Sequence, residues 1–274
     1  MGDLKHLLVH VDSTAGVDRR LGLALALARR FGARLTGLFA ESESLGTSIV
    51  GRRSPEQLLA SAREARDHFT ARAVEAGVDA EWWSLGGEGH GELVGLVTAC
   101  CRYADLAIFG QHEAGRGGRL PSDLLERVLL DCGRPLLVVP AAGVHLDVGR
   151  RVVIGWNASR GAARAVNDAL PLMRDAEFVG VLAFQAAAEG EGPNPMPPVS
   201  IGAHLALHGI ETSYQRAVQG VEGMSVADAL LNYGFESKAD LTVAGIHHAV
   251  PLRHGGFTAR ELLGAMMSPL LLAS

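Results

Sequence analysis

The chain is 274 residues long, 48% hydrophobic and 20% charged, with a formal net charge of -5. This is the composition of a globular protein long enough to bury one or two cores. Its negative balance gives no basic field with which to grip nucleic-acid phosphates, and no apolar run approaches the ~20 residues that cross a bilayer. Neither nucleic acid nor a membrane is an expected partner.

The opening segment shows no charged leader followed by a long apolar core. His6 stands where a myristoylation motif starting at Gly2 would need Ser or Thr. Cys100, Cys101 and Cys132 are an odd set without paired zinc spacing and read as reduced, buried core thiols. A cytoplasmic location is the expectation.

Short apolar runs alternate with amphipathic stretches along the whole chain. Strands are expected at about 5–11, 34–40, 79–85, 105–110 and 135–139, with helices at about 16–31, 54–76, 89–102 and 122–132. A second series follows: strands at about 151–155, 177–184, 211–217, 240–244 and 269–273, and helices near 159–174, 199–208, 223–237 and 257–266. The two series are copies. His6 to Asp12 answers to Arg151 to Asn157, Ala104 to Gly110 to Ala239 to Gly245, and Pro135 to Val139 to Pro269 to Ala273, at offsets of 145, 135 and 134. Near-constant spacing implies duplication. The expected domains are 1–140 and 150–274, joined by Ala141 to Gly149.

Apolar strands alternating with helices call for an α/β fold, with a parallel sheet covered on both faces by right-handed crossovers. Two tandem, doubly wound, five-stranded parallel sheets follow. Ligands of such sheets sit beyond the carboxyl ends of the strands, where strand order reverses, so the loops after the first and fourth strands of each copy are the places to look.

The first strand ending in Asp and a Ser turn (Asp12-Ser13; Asn157-Ala158-Ser159) leads the motif set. The Ala-Asp-Leu strand ending in Gly, the Gly-containing loop into a helix and the closing Pro-Leu-Leu-Val-Val strand complete it. Over essentially the whole chain, and twice, this set resembles the universal stress protein family in its tandem form. The resemblance implies the adenine nucleotide alpha hydrolase-like fold with sheet order 3-2-1-4-5. It also implies a cytosolic stress-response role and, in many members, ATP held by a Gly-x2-Gly-x9-Gly-Ser/Thr loop after the fourth strand. Domains paired through their fifth strands are implied as well, here an intrachain pseudo-dimer, with a homodimer of chains a further expectation.

On that pattern the first copy offers Asp12 and Gly110, but Glu113 stands at the second glycine position and Ser122-Asp123 at the final pair. Two carboxylates beside a triphosphate repel it, while Arg116 to Arg119 offer another anion grip. The second copy offers Asn157, Ser159, Gly245, His248, Gly255, Gly256 and Thr258. Its loop is shorter, but Arg253 and His254 are near and no acid intervenes before Glu261. The second copy is therefore expected to be the better site for an adenine nucleotide or other small anion. The glycines equally suit tight turns, and Asp12 or Asn157 equally suits a cap on the helix that follows.

No Gly-x-Ser-x-Gly, Gly-x4-Gly-Lys-Ser/Thr or His-Glu-x2-His motif is present. The expectation is a binding protein rather than an enzyme, with a ligand-free interaction protein and a slow ATP hydrolase using Glu113 or Asp123 as the alternatives. His204 and His208 share a helix face, as zinc ligands or as surface residues, and His247 and His248 fall in the second ligand loop. Trp82 and Trp83 lie on an edge strand, one expected inward and one outward. The Gly- and Pro-rich stretch from Gln185 to Pro198 is expected to be a loop over the second site, with a lid as its candidate role.

Overall fold

The computed structural model describes residues 3–14, 16–41, 54–86, 90–112, 120–184, 200–216, 225–246 and 259–274. Glu113, Arg116 to Arg119, Gln185 to Pro198, His247, His248, Arg253, His254, Gly255, Gly256 and Thr258 lie outside these described residues. The chain divides into two compact units, Met1–Asp147 and Val148–Ser274.

In the first unit the chain order is β1 (His6–Val11), α1 (Val17–Phe31), β2 (Arg34–Glu41), α2 (Pro55–Ala76), β3 (Ala80–Gly86), α3 (His90–Cys101), β4 (Leu106–Gly110), α4 (Leu124–Asp131) and β5 (Leu136–Val139). Every pairing is parallel, and the spatial order is β3-β2-β1-β4-β5. Central strands of such a sheet are buried on both faces, which is why β1 and β4 are nearly unbroken apolar runs. The strand order reverses at β1, between β2 and β4, so a crevice opens at their carboxyl ends.

The second unit repeats the plan: β6 (Arg151–Trp156), α5 (Arg160–Met173), β7 (Phe178–Ala183), α6 (Ile201–Leu207), β8 (Ser213–Arg216), α7 (Val226–Glu236), β9 (Leu241–Gly245), α8 (Ala259–Ala265) and β10 (Leu270–Ala273). Its order is β8-β7-β6-β9-β10, again parallel throughout. The expected element sequence and sheet order are found in both copies.

Local chemistry sets the ends of these elements. Ser54 and Gln57 form a capping box at α2, with Pro55 in its first turn, and Ser225 with Asp228 does the same for α7. Gly32 and Gly77, at φ 58° and 65°, close α1 and α2 in the left-handed conformation that favours glycine.

The repeated Ala-Asp-Leu motif works at the amino ends of the strands, away from the crevice. Asp105 accepts the backbone N–H groups of Lys5 and His6, at 2.8 and 3.0 Å. Asp240 does the same for Gly149, Arg150 and Arg151. Each Asp thus fixes the entry of its unit's first strand.

Both tryptophans of β3 are half-buried. Trp82 packs on Phe39 and on Phe69 of α2, and Trp83 meets the His6 ring edge-on. The strand's two faces are therefore both covered, and Trp83 does not project freely outward. Cys101 and Cys132 are buried as expected, but Cys100 is only half-buried. Burial raises the pKa of all three thiols. No described helix is long and apolar enough to cross a membrane.

Candidate functional site

At the carboxyl ends of β1, β4 and β5 the first unit encloses a cavity of about 520 Å³. Its walls come from the turn after β1 (Asp12, Thr14, Gly16), the start of α1 (Arg19, Arg20), the end of β4 (Gly110 to His112), the entry to α4 (Leu120 to Ser122) and the exit of β5 (Val139 to Gly143). This is the size and setting of a small-molecule site. The structure places Asp12 and Gly110 in its wall, together with His10, Arg19 and Arg20, which the sequence reading did not single out.

The polar part of the wall is built by β1 and α1. After Val11 the chain turns sharply, and Asp12 Oδ1 accepts both the N–H and the hydroxyl of Thr14, at 3.0 and 2.6 Å. Ser13 donates its N–H and its hydroxyl to the buried carboxylate of Glu41, the last residue of β2. One turn into α1, the buried Arg20 side chain folds back over the end of the sheet. Its Nε donates to the His10 carbonyl at 2.6 Å, and Nη2 lies 2.5 Å from Asp12 Oδ1.

Gly110 makes room for this guanidinium, because a Cβ there would lie 2.5 Å from Arg20 Nη1. Burial alone would raise the Asp12 pKa, but Arg20, then His10 and Thr14, outweigh it and bring the carboxyl from 3.8 down to about 2. The pair is therefore ionised and internally balanced.

Asp12 does not cap α1: the N-cap is Gly16, and no side chain accepts there. The capping role expected for Asp12 is replaced by the turn and the ion pair. Gly16 itself lines the cavity, and the Val17 N–H donates to the Thr14 carbonyl at 3.2 Å. Asp123 is the N-cap residue of α4, and its carboxylate lies 3.6 Å from Arg127. Ser122 rather than Asp123 reaches the cavity wall.

The second unit differs at each matching position. Gly155 stands for His10, Asn157 for Asp12 and Ala165 for Arg20. Asn157 Oδ1 accepts from the Ser159 N–H at 3.2 Å, and Ser159 is the N-cap of α5, its hydroxyl accepting from Ala162 N at 3.1 Å. Capping thus falls to Ser159, not to Asn157.

Without an arginine to accommodate, the first turn of α5 lies directly on the strand ends. A Cβ on Gly245 would come within 2.0 Å of Ala162 N and 2.1 Å of the Gly161 carbonyl carbon. A Cβ on Gly161 would come within 2.7 Å of the Ile246 carbonyl oxygen. The side of Gly245 on which a Cβ would stand faces the protein's own backbone. What remains of the loop expected around a second ligand, from His248 to Thr258, is outside the described residues.

His204 of α6 and His208, the C-cap residue of that helix, lie side by side, with ring centroids 4.9 Å apart. Among the described residues no group of three or more metal-type ligands gathers around them or elsewhere.

The strand order 3-2-1-4-5 in each unit, reversing at that unit's first strand, is that of a tandem adenine nucleotide alpha hydrolase-like fold. That fold is shared with solved universal stress proteins. One from Archaeoglobus fulgidus superposes with a TM-score of 0.72 at 15% identity, covering 98% of this chain and 96% of its own. A universal stress protein candidate from Pseudomonas aeruginosa gives 0.62 at 14% identity, over 98% and 93%. A functionally unknown protein from the same organism gives 0.62 at 13% identity, over 98% and 92%. No family model and no curated protein matches the chain.

Proposed function

We propose that the chain is a stress-response protein of the tandem universal stress type, acting as a binding protein in the cytoplasm. In this reading it holds one adenine nucleotide, or a closely related small anion, in the first unit. The observation that carries the reading is the cavity of about 520 Å³ at the switch point of that unit's sheet. Its chemistry suits such a ligand at both ends. Leu120, Pro121, Leu124, Val139 and Pro140 supply an apolar wall for a heterocycle, and Asp12, His10 and Gln111 supply polar contacts. Arg19 and the first turn of α1 supply positive potential for an anionic end.

Asp12 does not oppose an anion as a lone carboxylate would, because Arg20 balances it. The sequence argument placed the better site in the second copy. The reading moves it to the first, because the backbone of α5 lies on Gly245 where a ligand would have to come.

The test is direct. The purified full chain is denatured, the released small molecules are separated, and calorimetric titration with AMP and ATP follows on nucleotide-stripped protein. The expected result is stoichiometric copurified nucleotide, or saturable binding at one site per chain that Asp12→Ala removes. Absence of copurified nucleotide, together with no heat and no thermal shift at millimolar ATP, refutes the reading.

A further inference from the structure

His10 is a polar residue in the middle of an otherwise apolar strand, 1% exposed overall, yet part of the cavity wall. Its ring stacks on Phe109 of β4, with centroids 5.6 Å apart. Its Nε2 lies 3.0 Å from the Ala40 carbonyl oxygen. A carbonyl only accepts, so Nε2 carries the proton and donates, which leaves Nδ1 of the neutral ring as a bare lone pair. Burial lowers the ring's pKa and prevails over the opposing effect of Asp12, with Arg20 acting in the same direction as burial.

Nδ1 faces Asp12 Oδ2 at 3.8 Å, beyond hydrogen-bond range. The hydrogen bonds that hold Asp12 both fall on its other oxygen, Oδ1, from the Thr14 N–H and the Thr14 hydroxyl, and Arg20 Nη2 lies against that same oxygen as an ion pair. Two acceptors, Nδ1 and Oδ2, therefore stand side by side on the wall with no donor from the described residues between them.

Such a pair is costly to leave unmet once water is expelled. At a separation of 3.8 Å, one nitrogen can stand about 2.9 Å from both acceptors. A neutral amino group carries the two N–H bonds needed, a hydroxyl carries one, and a carbonyl oxygen carries none and meets two lone pairs. Arg20 already neutralises Asp12, so the pair calls for donors without calling for a further positive charge.

The geometry points to His10 as a specificity-determining residue: with Asp12 it forms a two-acceptor clamp that selects ligands bearing a neutral amino group on the ring and rejects those bearing an oxygen there. This rests on the nucleotide reading above and names the base it prefers, an aminopurine over an oxopurine.

Calorimetric titration of the full chain with AMP, IMP and purine riboside monophosphate decides it. AMP is expected to bind at least about 30-fold more tightly than IMP, with the unsubstituted purine between them. His10→Leu is expected to bring the AMP-to-IMP ratio below about 3-fold, weakening AMP, which loses an acceptor, and strengthening IMP, which no longer meets the Nδ1 lone pair. Nitrogen NMR of the wild type adds a readout that needs no variant: the His10 Nδ1 resonance should move on addition of AMP and not on addition of IMP.

Equal wild-type affinities for AMP and IMP overturn the clamp and leave the nucleotide reading standing. So does a ratio that survives His10→Leu. If none of the three binds, both fall together. Should His10→Leu fail to fold, the wild-type series and the Nδ1 resonance decide on their own.

Discussion

Asp12→Asn removes the charge that balances a buried arginine while keeping nearly the same shape. At neutral pH the variant leaves Arg20, only 4% exposed, without its counter-charge. Breaking one side of a buried pair costs about 3–5 kcal/mol. The pH dependence separates this ionic contribution from any loss of packing. The Asp12 carboxyl sits at about 2 in the folded chain against 3.8 for an unperturbed one. At ~1.36 kcal/mol per unit, that lowering corresponds to about 2.5 kcal/mol in favour of the folded state.

Because the folded pKa is depressed, this contribution is fully present above 3.8 and disappears as pH falls from there through about 2. Urea unfolding of the wild type and of Asp12→Asn, followed by tryptophan fluorescence from about pH 7 to about pH 2, reads the difference between them. The stability gap should be level down to about pH 5 and then shrink by about 2.5 kcal/mol toward pH 2. A gap that is constant with pH, or that widens on acidification, refutes the assignment of Asp12 as an ionised partner of Arg20.

Gly245→Ala should destabilise the second unit by about 3 kcal/mol, since the new methyl meets backbone rather than a flexible side chain; a calorimetric melt unchanged from wild type would contradict the packing. Phe69→Ala, which strips α2 of its contact with Trp82, should cost about 3–5 kcal/mol and shift the Trp82 emission to the red. Ser225→Ala removes the capping box of α7 and should cost about 1 kcal/mol, measured by urea midpoint. Cys101, buried with its thiol pKa raised well above the ordinary value by burial and the neighbouring Cys132 and Cys100, should resist alkylation in the folded chain and react promptly in urea, as peptide mass mapping would show.

The architecture was legible because its signals are local and repeated. Apolar runs of strand length, separated by amphipathic helices and twice closed by Ala-Asp-Leu and Pro-Leu-Leu motifs, give element order and duplication without any knowledge of packing. The candidate site was less legible, because it depends on how close two backbones come.

Gly110 and Gly245 are the same letter at the same place in the repeat. One faces the guanidinium of Arg20 and the other the first turn of α5. The deciding residue, Arg20 against Ala165, lies a helical turn away from the glycine motif that drew attention. A signal was nevertheless present: Arg20 breaks the apolar stripe that Val17, Leu21, Ala24 and Ala28 draw along α1, and His10 breaks the apolar run of β1. A charged or polar residue on a core-facing register has to be satisfied by something. Those two interruptions, read together, point to the cavity of the first copy.

The packing of α5 against Gly245 also bears on the proposed ligand response. Duplication ordinarily doubles binding sites and opens the way to cooperativity between them, but here one copy has its own helix seated where the other has space. On the nucleotide reading, a ligand held in the first unit alone titrates as one site, with a simple hyperbola and a Hill coefficient of about one. Occupancy would then track ligand concentration in proportion over about two decades, making the molecule a gauge of supply rather than a threshold device.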